Sequence, residues 1–196
     1  MPRYYEFEVV LQELQPRIWR RFLLRTISTF AQLNTAIQES FGWTNSHLWE
    51  FRLPTFHGRP IAGLVTVEEE ADRPVPDARH VKLSEYFTGK RVTEWCEFVY
   101  DFGDDWVHDV KLIRVISDKA TFGRRLLDGG RACPPEDCGG TGGYERMVEF
   151  LRSGKDVWDD AEGLAAWLGD WDPDRFDLET ARAAFDRRVR GRDKQQ

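Results

Sequence analysis

The stretch Tyr100-Asp101-Phe102-Gly103-Asp104-Asp105-Trp106-Val107-His108-Asp109-Val110 decides how this chain is read. Thr93 to Asp101 and Trp106 to Ile116 each have the pattern of a strand. Phe102-Gly103-Asp104-Asp105 between them has the composition of a tight hairpin turn. The acidic cluster is therefore expected at a hairpin tip, at one edge of a sheet, with Trp106, His108 and Val110 on one face. Four carboxylates (Asp101, Asp104, Asp105, Asp109) and the His108 imidazole fall within nine residues. Such a turn is costly unless water, hydrogen bonds or a cation compensates it.

Working outward, the alternation of Tyr5, Phe7, Val9 and Leu11 against Glu6 and Glu8 makes Tyr4 to Leu14 a strand. Pro16 interrupts it, and Ile18, Phe22 and Leu24, with Arg20 among them, mark a second. Thr29 with Gln32 has the form of a capping box, followed by Phe30, Leu33, Ile37 and Phe41 at helical spacing, with Gly42 as the stop. A strand is expected to resume at His47, since His47, Trp49, Phe51 and Leu53 share a face. Residues 55–81, with Pro60, Pro74, Pro76 and the run Glu68-Glu69-Glu70, read as a long mobile loop.

Downstream, the glycine-rich segment Cys133 to Tyr144 leads into three helices. The first carries Tyr144, Met147, Val148 and Leu151, the second Leu164, Trp167 and Leu168. The third, capped by Asp177, carries Leu178, Ala181, Phe185 and Val189. No internal repeat or linker divides the chain. The expectation is one α+β domain over residues 1–190 with a polar tail at 191–196: an antiparallel-rich sheet, an early helix and three C-terminal helices packed on it.

At 196 residues with 41% hydrophobic and 13% aromatic side chains the chain can bury a real core. The formal charge of −6 disfavours nucleic acid or an anionic membrane as the dominant partner. Arginines cluster near both ends, Arg17, Arg20, Arg21 and Arg25 at the start and Arg182 to Arg192 at the finish, and solvated faces are their ordinary explanation. No apolar run reaches the ~20 residues of a membrane helix, and the N-terminus reads as a strand, which points to a cytoplasmic protein. Cys96, Cys133 and Cys138 are then expected as thiols.

These residues admit several kinds of chemistry. Asp101, Asp104, Glu136 and His108 are candidate ligands for a divalent cation, with His47, Asp105 and Asp137 nearby in type. Against this, Asp104 and Asp105 are ordinary turn formers and Asp101 an ordinary cap for backbone N–H groups. Cys133 and Cys138 have knuckle-like spacing but lack a second pair, and no nucleophile elbow surrounds either. Gly139, Gly140, Gly142 and Gly143 are an anion cradle in composition, without a Walker lysine; close packing on the sheet is the simpler account. Trp19, Trp43, Trp49 and Trp106 suit either a groove wall or the core.

Four segments carry a family resemblance: Pro16 to Arg21, Phe41 to Phe51, Tyr100 to Val110 and Cys133 to Glu145. Together, in this order, they resemble the Ri-plasmid open-reading-frame-three-like family, some of whose relatives carry a transposon-passenger or resolvase-type label. The resemblance implies a compact α+β fold and transfers no catalytic residue. The chain departs from the family at His47-Leu48-Trp49, where relatives often show His-Leu-His.

Two functional readings result. The first is a non-catalytic binding or accessory module, which the resemblance links to plasmids or mobile elements, and whose partner is an unknown protein or small ligand. Its groove would lie between the 101–108 hairpin tip and the 133–144 loop, shaped by Trp43, His47, Trp106 and His108, with Asp101, Asp104, Glu136 and Asp137 setting its polarity. The second is a metal-dependent phosphoester hydrolase, with the carboxylates holding the cation and His108 as base or ligand. Arg20 or Arg21 neutralising those carboxylates would remove the motive for a metal. No cofactor is called for beyond that possible divalent cation.

Overall fold

Alternation in the first strand builds the centre of the sheet. The computed structural model describes residues 1–55, 58–64, 75–90 and 94–192, with residues 187–192 as backbone only. The elements run β1 (Arg3–Leu11), β2 (Trp19–Arg25), α1 (Phe30–Phe41), β3 (Trp49–Arg52), β4 (Pro60–Gly63), α2 (Leu83–Tyr86), β5 (Glu94–Tyr100), β6 (Trp106–Ser117), β7 (Arg124–Gly130), α3 (Gly140–Ser153), α4 (Ala161–Leu168) and α5 (Leu178–Arg192). The strands form a seven-stranded sheet in the order β4-β3-β5-β6-β1-β2-β7, and every pairing is antiparallel.

Tyr5, Phe7, Val9 and Leu11 point into one hydrophobic core with Phe30, Leu33 and Ile37 of α1, Tyr144 and Met147 of α3, Leu164 and Leu168 of α4, and Phe185 of α5. Each such side chain contributes about 1.5–3 kcal/mol of burial. The opposite face of the central strands is a charge ladder in which Glu6 pairs with Arg114 at 2.7 Å and Glu8 with Arg21 at 2.7 Å. Arg17 approaches Glu8 as well, at 3.8 Å. The α+β class, the antiparallel sheet and the early helix are as the sequence implies. The capping box closes α1 with Thr29 N–H donating to Gln32 Oε1 at 3.0 Å, and Gly42, at φ 97°, ends it.

The differences have local causes. β4 lies inside the expected 55–81 loop; Pro60-Ile61-Ala62-Gly63 is an edge strand too short to show a period. The rest of that loop at 56–57 and 65–74, including the acidic run, lies outside the described residues. β7 escapes an alternation test because one of its inward residues is an arginine, Arg124, which is buried and paired with Glu39. β3 begins at Trp49, so His47 sits in the loop before it. Residues 191–192 continue α5, and 193–196 lie outside the described residues. Among the described residues no helix is long and apolar enough to cross a membrane.

Candidate functional site

Three loops meet at one end of the sheet: residues 42–48 after α1, the hairpin turn 101–105, and residues 133–139 before α3. Glu136, in the last of these, binds the first loop and Tyr100, the strand residue just before the turn. Its Oε1 accepts from Thr44 N–H at 2.7 Å and Thr44 Oγ1 at 3.0 Å, and Tyr100 OH donates to Oε1 and Oε2 at 3.1 Å each. Tyr100 OH in turn accepts from Ser46 N–H at 3.1 Å. Burial raises the Tyr100 phenol's pKa, which keeps it a donor. Trp43 Nε1 donates to Pro134 O at 3.0 Å, and Gly139 N–H to Asp104 Oδ2 at 3.1 Å.

Glycine is required where the loops close. Gly140 has φ 66°, and a Cβ there would stand 2.8 Å from Asp104 O; at Gly143 it would stand 1.7 Å from Cys138 O. The hairpin tip and the 133–144 loop therefore touch directly rather than facing each other across a groove.

At the rim of this seam stands His47. Its Nε2 lies 3.0 Å from Asp137 Oδ1, 3.6 Å from Asp101 Oδ2 and 3.9 Å from Glu136 Oε2. That nitrogen is shielded from solvent yet makes no hydrogen bond of acceptable geometry, even to Asp137. Ligand atoms of His47, Asp101 and Asp137 all fall within 4.8 Å of one another. Two ligands held ~2.0–2.4 Å from one ion stand roughly 3–4.5 Å apart, so these separations suit a shared cation. Neither arginine singled out as a neutralising partner reaches the group. Arg21 is taken by Glu8, and Arg20 spends its donors on main-chain carbonyls of Ser40, Trp19, Gly130 and Arg131.

The backbone around the cluster is unusual. Asn45, Asp101, Asp105 and Asp137 all have φ between 52° and 60°. Asn and Asp tolerate this left-handed region best, at a cost of about 1 kcal/mol or more each, and such residues gather at sites. Asp101 uses Oδ1 to hold Gly103 N–H at 3.0 Å, leaving Oδ2 toward His47.

The remaining expected site residues divide. Asp104 is in the seam as a backbone acceptor, and Asp105 is exposed on the turn. Trp106 and Trp43 are buried and pack together, ring centroids 6.2 Å apart. His108 does share a face with Trp106 and Val110, but that face is the core. It is fully buried among Phe41, Trp43 and Phe98. Its Nδ1 faces two carbonyls, Trp106 O at 3.1 Å and Phe98 O at 3.3 Å, so Nδ1 carries the proton. Burial outweighs those bonds and lowers its pKa to about 4. His47, not His108, is thus the imidazole beside the carboxylates. The cysteines are free, and burial pushes the thiols of Cys96 and Cys133 up and that of Cys138 to about 12. Sequence reasoning missed Thr44, Ser46 and Tyr100 as parts of the site. Thr44 and Ser46 lie in the same short polar run as His47, which was the available signal.

A family model described as plasmid pRiA4b ORF-3-like protein matches residues 3–180. An uncharacterised Sinorhizobium fredii protein, y4hQ, is 35% identical over 144 residues, covering 74% of this chain and 71% of that protein. A solved structure, the protein of unknown function MM3350 from Methanosarcina mazei, has a TM-score of 0.79 at 31% identity, covering 92% of this chain and 98% of that one.

Proposed function

The chain belongs to the plasmid pRiA4b ORF-3-like family, and within that family we propose that it is a non-catalytic binding module whose ligand is a divalent cation. His47, Asp101 and Asp137 are its ligands, with Glu136 beside them. The observation that carries this is the shielded, unbonded Nε2 of His47 among three carboxylates. A histidine there with no cation leaves a lone pair or a proton unused next to the acids; a cation uses the imidazole and the Asp101 and Asp137 carboxylates at once. One imidazole with carboxylate oxygens favours Mn²⁺ or Zn²⁺ over the oxygen-only preferences of Mg²⁺ and Ca²⁺.

The role is structural. The cation ties the 42–48 loop, the hairpin turn and the 133–139 loop, adding to the bonds Glu136 makes to Thr44 and Tyr100. The hydrolytic alternative needs a base at the cation, and His108 lies in the core with aromatic neighbours. Binding at a hundredfold excess over Kd stabilises by about 2.7 kcal/mol, which for a chain of this size raises Tm by roughly 5–10 °C. The test is thermal melting of chelator-treated protein with each of the four cations, paired with metal analysis of protein purified without chelator. Mn²⁺ or Zn²⁺ should raise Tm, and His47→Ala and Asp137→Asn should abolish the rise. No rise with any cation, or a rise that survives both substitutions, overturns the reading.

A further inference from the structure

Between Asp156 and Glu179 the chain carries nine carboxylates against one cation, Arg175. That is a local charge of −8 in a chain of total −6, so the acid is segregated into this one segment. Three tryptophans fall inside it. Trp171 is used by the fold: its ring N–H donates to Cys133 O at 3.0 Å and its ring meets Tyr144 edge-on. Trp158 and Trp167 lie mostly outside it, being 71% and 50% exposed, and Val157 beside Trp158 is 75% exposed. α4 buries Leu164 and Leu168 and leaves Glu162 and Trp167 outside. Large apolar groups set among carboxylates mark an interaction surface better than they mark a solvated one.

The molecule also shows what this surface accepts. Arg146 of α3 lies with its guanidinium carbon 3.8 Å over the Trp158 ring. Its Nε and a terminal nitrogen donate to the two oxygens of Asp156 at 2.6 Å and 2.8 Å. A guanidinium is thus clasped by an indole face and a carboxylate, geometry that an ammonium does not reproduce. The exposure of Trp158 leaves the rest of its ring open. Among the described residues no lysine or arginine forms an ion pair with Asp159, Glu162, Asp170 or Asp172.

We propose that the 156–160 turn and the outer side of α4 form a docking surface for an arginine-rich segment of a partner protein. Charge sign rules out nucleic acid and anionic lipid as occupants. The indoles set among unpaired carboxylates favour guanidinium-bearing side chains.

The test uses the full chain in chelator, so that the cation reading does not enter. Titration with an arginine–serine repeat peptide and its lysine–serine counterpart is followed by calorimetry at low and moderate salt. The arginine peptide should bind, weaken with salt, and exceed the lysine peptide by about threefold or more. Trp158→Ala and Trp167→Ala keep the formal charge; Trp167→Ala should melt as wild type, Trp158→Ala should melt slightly lower because it also loses the Arg146 stacking, and both should bind about tenfold more weakly. Unchanged affinity in both variants reduces the surface to bare charge attraction and overturns the proposal, as does equal affinity for the two peptides or no binding at low salt.

Discussion

Acidification should destabilise the core through His108 before the carboxyls of Asp77 and Asp156 respond. In the native chain this imidazole is neutral, with its Nδ1 proton held between the Trp106 and Phe98 carbonyls and its Nε2 buried without a partner. Burial holds its pKa at about 4, against 6.5 when unfolded. The unfolded chain therefore takes up a proton that the native chain refuses across this window. Stability is fully present above pH 6.5 and is lost as pH falls toward 4. A gap of about 2.5 pH units corresponds to about 3 kcal/mol, lost at a limiting slope of about 1.4 kcal/mol per pH unit. The carboxyls of Asp77 and Asp156 sit at about 2, lowered mainly by hydrogen bonds from Arg79 and Arg146, and respond only further down.

The assay is urea unfolding of wild type and His108→Gln at intervals from pH 7.5 to pH 4.5. Glutamine keeps an N–H for the carbonyls but does not titrate. The variant is less stable at neutral pH, and the two curves should converge by about 3 kcal/mol as pH falls. Parallel curves over that window, or a native-state His108 resonance titrating near 6.5, would refute the reasoning.

Gly143→Ala places a Cβ 1.7 Å from Cys138 O and should cost several kcal/mol or abolish folding, whereas Gly142→Ala, with nothing within 4 Å, should be neutral or stabilising by up to about 1 kcal/mol; chemical unfolding of the pair separates these outcomes. Arg20 is buried between the Phe41 and Phe176 rings, 4.9 Å and 4.0 Å from their centroids. Arg20→Lys strands part of its four-carbonyl network and should lower stability by about 3 kcal/mol, or Tm by roughly 10 °C by calorimetry. All three cysteines should resist a thiol reagent at pH 7.5 in the native state and react together in denaturant, since burial suppresses each thiolate; a fast native phase would contradict this.

How much was legible in advance follows the range of the interaction. The capped α1 helix and the β5–β6 hairpin rest on contacts close in sequence, and the β1 strand, though paired with distant β6, carries a local period-two alternation; each was readable from period and turn chemistry. β4 and β7 were not, because one is an edge of four residues and the other turns Arg124 inward, where only the fold supplies Glu39. The same holds for the site. Residue type alone placed Asp101, Glu136 and Asp137 among the candidates and put His108 ahead of His47 as the cation ligand.

Only tertiary structure could part the two histidines. Strand parity put His108 on the face with Trp106 and Val110, and parity says nothing of whether that face meets water or the aromatic rings of α1 and its following loop. It met the rings, so His108 is neutral and buried. His47 was carried by a loop end to carboxylates 54 and 90 residues away in sequence, a closure made by long-range packing that no local pattern encodes.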